Sequence, residues 1–106
     1  MANPVSSIEN KLITKIKDGD YTAFTCIFIT YYQDLVIFAS RFTHDWNNAE
    51  EIVQDTFVRL WEEHESIQVN ISIKSYLLKM VQNRYIDWYR HQKVIQKHND
   101  SVFDPS

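Results

Sequence analysis

The run Ala49–Arg90, AEEIVQDTFVRLWEEHESIQVNISIKSYLLKMVQNRYIDWYR, decides how the rest of the chain is read. Its first fifteen residues space apolar side chains at helical steps and carry acids on the opposite face. Its last eighteen do the same with bases. Between Asp45 and Glu65 there are seven acids against one base, and between Ile73 and His98 six bases against one acid. Two neighbouring helices of opposite sign suggest two partners of opposite charge.

Working outward, the 106 residues suffice for one domain with one core, and one Gly with two Pro favours long uninterrupted helices. The net charge of −3 conceals the internal asymmetry, so overall acidity does not exclude a nucleic-acid partner. Ser6 with Glu9 fits a capping box, and Ile8, Leu12, Ile13 and Ile16 predict a short first helix ending near Lys17, with Met1–Val5 a loose end. Asp18-Gly19-Asp20 ends that helix and offers Asp20 as the next cap. Phe24, Ile27, Phe28, Tyr31, Leu35, Phe38, Ala39 and Phe42 form one stripe of a long second helix and read as core. Tyr32, Ile37 and Cys26 lie off its centre, where a neighbouring helix can meet them.

Asn47 with Glu50 predicts the cap of the third helix. Ala49, Ile52, Val53, Thr56, Phe57, Leu60 and Trp61 form its buried face. Glu51, Gln54, Asp55, Val58, Arg59 and Glu62 form the opposite one, either a solvated surface or a docking face for a basic partner. His64–Ser72 has no helical period. Its alternating Ile67, Val69, Ile71 and Ile73 look strand-like, but no second strand is available, so it reads as an ordered loop with Asn70 or Ser72 capping the next helix. The fourth helix is predicted from about Ser72 to Gln96. Ile73, Tyr76, Leu77, Met80, Arg84, Asp87 and Trp88 share one face, and Lys79, Gln82, Asn83, Ile86, Arg90 and Lys93 another. Arg84 and Asp87 read as a structural ion pair. The polar tail from Asn99 reads as the start of a linker.

The fold class that follows is all-α: three main helices plus a short N-terminal one, with antiparallel neighbours. Catalysis is not expected. Gly19 is the only glycine, so there is no Gly-rich phosphate loop, and the four His are not at ligand spacing with one another or with Cys26. Neither metal nor cofactor is expected. Cys26 reads as a buried small residue in a reduced, intracellular setting. No signal peptide is visible, no segment is expected to reach membrane-spanning length, and no membrane partner is expected. What remains is binding chemistry. Lys and Arg neutralise phosphates, Asn and Gln bond base edges, and Tyr and Trp stack on unpaired bases, and the last helix has all three.

The order of these pieces resembles region two of bacterial RNA polymerase sigma factors, most closely the extracytoplasmic-function group. The family's aromatic helix carries the pattern F-x-x-x-Y-x-x-x-L-x-x-x-A-x-R, resembled here by Phe28 and Tyr32 and by the run from Leu35 through Ala39 to Arg41, with one residue fewer between Tyr32 and Leu35. AEEIVQDTFVRLW (Ala49–Trp61) is similar without a gap to A-E-D-L-V-Q-E-T-F-L-R-L-W. IKSYLLKMVQNRYIDWYR (Ile73–Arg90) is similar to F-R-A-W-L-Y-R-I-A-x-N-R-x-x-D-x-x-R, with Ile73 and Tyr76 replacing the usual Phe and Trp.

The resemblance covers about Asp18 to Lys97 and implies a non-enzymatic role in the bacterial cytoplasm: docking on core RNA polymerase and melting of the promoter minus-ten element. It implies that Glu51, Gln54, Asp55 and Arg59 contact the clamp helices of the polymerase's largest subunit. It implies that the His64–Ile73 loop, with Asn70, captures a flipped base of the non-template DNA strand, that Asn83 borders the base pocket, and that Lys74, Lys79 and Arg90 lie near phosphates. An anti-sigma protein is a further implied partner. Residues 1–17 are then an N-terminal extension, 18–97 the domain, and 98–106 the start of a linker. The family's second, helix-turn-helix domain is absent, so the chain is expected to be an isolated N-terminal domain or a shortened one. The rival readings are a helical protein-binding adaptor without DNA contact, and a duplex-reading helix-turn-helix protein, for which the His64–Ser72 connection is too long.

Overall fold

The computed structural model describes residues 7–69 and 71–102, with side chains for 8–69 and 71–98 of these. The Ser6 half of the first capping box, the loose N-terminus and Asn70 lie outside the described residues. Among the described residues four α-helices follow one another: α1 (Ser7–Lys17), α2 (Tyr21–Thr43), α3 (Trp46–Glu62) and α4 (Ile73–Val102), with a single 3-10 turn at His64–Ser66. No strand occurs among the described residues, and the alternating Ile67–Ile73 segment is a loop.

Local chemistry sets the helix ends. Gly19, at φ 85°, takes the left-handed conformation that a β-carbon disfavours. Its N–H bonds the Ile16 carbonyl at 2.8 Å and the Asp20 N–H the Lys15 carbonyl at 2.9 Å, which closes α1 with a Schellman turn. The Asp20 carboxylate then accepts from the Thr22 and Ala23 N–H groups at 2.9 and 3.3 Å and starts α2. Asp20→Ala should therefore cost about 1 kcal/mol, read as a shift of the urea midpoint at unchanged slope. An unchanged midpoint would show that the turn holds without the cap.

Two expected helix boundaries are corrected. Asp45, not Asn47, caps α3: its carboxylate accepts from the Asn48 N–H at 3.1 Å. The reason lies one residue earlier, where His44 at φ 55° reverses the chain and leaves Asp45 extended. At the other end, α4 runs past Gln96 to Val102. Asn99 and Asp100 are poor helix formers but not breakers. Ser72 does cap this helix, accepting from the Ser75 N–H at 3.2 Å.

Ring pairs reveal the topology. Tyr21 meets Trp61, Phe24 meets Trp61 and Phe57, and Phe28 meets Phe57, so numbers fall along α3 as they rise along α2 and the two helices are antiparallel. Lys74 meets Asp34 and Tyr85 meets Phe42, so α2 and α4 run parallel. The α3–α4 pair is antiparallel and separated by the longer loop. Leu35, Val36, Ala39, Ala49, Val53, Leu77 and Val81 have no exposure and form the centre where the three helices meet. Val36 and Val81 lie outside the expected stripes, and Trp61 is half-buried rather than fully buried.

Two expectations about α2 do not hold. Its 23 residues include an 18-residue window of mean hydropathy 1.4, long and apolar enough to cross a membrane by length and composition. Within the bundle, however, Leu35, Val36 and Ala39 of its most apolar stretch are core, while Ile37 between them is 42% exposed. Cys26 is exposed rather than buried, on the same side as Ile29, which is 73% exposed.

Candidate functional site

Two surfaces carry the predicted residues. The first is the outer ridge of α3. Glu51, Gln54, Asp55 and Arg59 are all exposed, as the helical period predicts, but they lie on two flanks. Gln54 borders an apolar groove between α2 and α3 whose walls include Phe28, Phe57, Val58 and Trp61. Glu51 and Asp55 border a more polar groove between α3 and the outer half of α4, with Arg84, Asp87, Trp88 and His91 opposite. Arg59 pairs one turn on with Glu63 at 3.4 Å, an exposed pair of small energetic weight.

Arg84 joins the two helices. One terminal nitrogen lies 3.7 Å from the Asp55 carboxylate and the other 3.8 Å from that of Asp87. The Arg84–Asp87 pair is therefore present, and Asp55 is its second acid. An alanine at position 55 would consequently disturb the α3–α4 junction as well as the outer ridge.

The second surface is a groove of about 380 Å³ where the loop after α3 faces α4, lined by Gln68, Ile71, Tyr76, Lys79, Met80 and Asn83. Loop residues supply one wall because Ile67 is buried and anchors the segment, leaving Gln68 and Ile71 exposed. On α4, Tyr76, Met80 and Asn83 fall on one side at four- and three-residue steps, with Lys79 beside them. The groove thus combines an aromatic face, an amide from each wall and one cation. Burial, and secondarily the negative charge of Glu63, push the Tyr76 hydroxyl above the ordinary phenol range.

Not every predicted nucleic-acid residue belongs to this groove. Lys79, Asn83 and Arg90 share a side of α4, but Lys74 is about 140° round the helix from Lys79. It pairs with Asp34 of α2 at 3.3 Å and borders a separate groove with Ile37, Phe38, Arg41 and Leu78. Arg90 is exposed two turns beyond Asn83. Gln68 and Ile71 lie in the expected capture loop but are not singled out by the sequence, and neither are Met80 and Asp34. The exposed side of the loop's alternation carries a weak signal for Gln68. Asp34 has none, because its partner lies forty residues away.

With this geometry in hand, the sequence itself matches the Sigma-70 region 2 family over residues 27–94. The chain belongs to that family. This region 2 domain is similar to the ECF RNA polymerase sigma factor SigX of Bacillus subtilis (strain 168), 30% identical over 81 residues that cover 76% of the chain and 42% of SigX. It is also similar to the RNA polymerase sigma factor YlaC of the same organism, 33% identical over 57% of the chain and 35% of YlaC. The ECF RNA polymerase sigma factor SigW, again from that organism, is 29% identical over 78% of the chain and 44% of SigW. The chain spans less than half the length of each of these curated relatives. No solved structure matches it significantly. The matches place the region 2 domain with the ECF group and agree with its all-α fold.

Proposed function

We propose that this domain serves transcription initiation as part of a sigma factor. It docks on the clamp helices of core RNA polymerase through the outer ridge of α3, and it holds the non-template strand of an opened minus-ten element against the loop and α4. The reading rests above all on one observation: loop and helix form a concave site with Tyr76, Asn83, Gln68 and Lys79 at its walls, in a chain whose family match spans that site.

The chemistry is capture without covalent change. A base leaving the stack needs a flat contact and edge donors and acceptors. Tyr76 supplies the first, and the Asn83 and Gln68 amides the second. Lys79 and Arg90 neutralise phosphates on either side of the base. The net charge of −3 works against DNA binding, so the free domain binds weakly and polymerase must bring the strand to it. The proposed setting is the bacterial cytoplasm, with an anti-sigma protein as a further partner.

The test combines the chain with core polymerase and selects from a random single-stranded DNA pool. The reading predicts a shared short motif among retained strands. It also predicts that Lys79→Ala shallows the salt dependence by about 0.7 in log–log slope, the share of one single-strand phosphate contact. Retention without any shared motif, and indifferent to Lys79 and Asn83, would leave a protein-binding adaptor as the better account.

A further inference from the structure

We propose that Tyr32 and Glu50 form a positioning relay that fixes the Gln54 amide with its oxygen outward, so that the partner docking on α3 must bring an N–H donor to it. This rests on the docking role of α3 proposed above and names what that face recognises.

The relay has one direction. Glu50 is a carboxylate and only accepts. It takes the single proton of the Tyr32 hydroxyl at 3.1 Å. The phenol oxygen is then left as an acceptor, and the Gln54 amide nitrogen, one turn along α3, donates to it at 3.3 Å. With its nitrogen turned toward α2, the amide directs its oxygen away from the bundle, and Gln54 is exposed. Tyr32 is itself held: it is half-buried, and its ring stacks on Phe28 at 5.0 Å. A free glutamine amide would present either end to a partner. This one is held as an acceptor, which suits a guanidinium, an ammonium or an amide N–H and disfavours an acidic or carbonyl-only surface. Two residues on different helices thereby determine the polarity of a third.

The test is a double-mutant cycle on binding of the intact chain to polymerase clamp helices. Tyr32→Phe removes the hydroxyl and keeps the ring on Phe28. It should weaken binding about fivefold, the share of one hydrogen bond. In a Gln54→Ala background the same change should have no further effect, because Tyr32 acts only through that amide. In the free domain, Tyr32→Phe should also shift the Gln54 side-chain amide resonances while far-UV circular dichroism is unchanged. Equal weakening in both backgrounds, or no weakening by Tyr32→Phe where Gln54→Ala does weaken, overturns the relay and leaves the docking role intact. A folded wild-type chain that fails to bind the clamp helices overturns both.

Discussion

Phe57→Ala lowers the stability of this domain by about 3–5 kcal/mol, the cost of removing a large aromatic side chain from a packed core. Phe57 is 2% exposed. It sits between two rings of α2, with Phe28 at 4.8 Å and Phe24 at 6.2 Å between centroids, both edge-on. Its loss removes the centre of the α2–α3 contact, and the backbone of two long helices cannot collapse into the space. For a domain of this size the melting temperature falls by roughly 15 °C or more. Phe57→Leu keeps much of the volume and costs far less, about 1–1.5 kcal/mol. The comparison isolates packing from composition. Thermal and urea unfolding followed by circular dichroism check both values, and a loss below about 1 kcal/mol for the alanine variant would mean that the α2–α3 contact is not the centre of the fold.

The largest functional effect is expected at Asn83. Replacing it with alanine weakens strand retention by the polymerase complex roughly tenfold to a hundredfold, the range for losing an amide that reads a base edge. Stability stays within ±0.5 kcal/mol, because the residue is exposed on the helix. Asn83→Asp keeps the shape, removes the donor and adds a negative charge beside the strand's phosphates, so it weakens retention more than alanine does. That order distinguishes a hydrogen-bonding role from a steric one. The salt slope is unchanged in Asn83→Ala, in contrast to Lys79→Ala, because no counterion is involved. Competition with an unlabelled strand across a salt series reads all three quantities. Full retention by Asn83→Ala would remove the amide from the site.

The sequence made the α3 face legible because its apolar and charged residues separate cleanly at helical steps: every residue from Ala49 to Leu60 assigned to the buried face is buried. The α2 helix was harder. It is apolar nearly all round, so periodicity cannot say which sides have partners. That is why Cys26 reads as core yet is exposed, and why Val36, off the expected stripe, has no exposure. Caps depended on backbone reversal. Asn47 and Asp45 are both good capping residues, and only the left-handed His44 decides between them. For the candidate site, the spacing of Lys79, Asn83 and Arg90 on one helix was visible at once. The opposite wall was expected as the His64–Ile73 loop, but which of its residues face α4 was not legible, because it takes the buried Ile67 to turn Gln68 and Ile71 toward the helix. Contacts between distant segments, Lys74 with Asp34 and Asp55 with Arg84, leave no local mark in a chain.

The most direct measurement of the central claim is binding of the intact chain to the polymerase clamp helices, beside the single variant Gln54→Ala. The single change is preferable to one that also removes Asp55, since Asp55 is tied to Arg84 across the α3–α4 junction. The account predicts that the wild-type chain binds and that Gln54→Ala, folded and equally stable, binds at least several-fold more weakly. Equal binding by the two, or none by a folded wild-type chain, would contradict the assignment of the α3 ridge as the polymerase-docking surface.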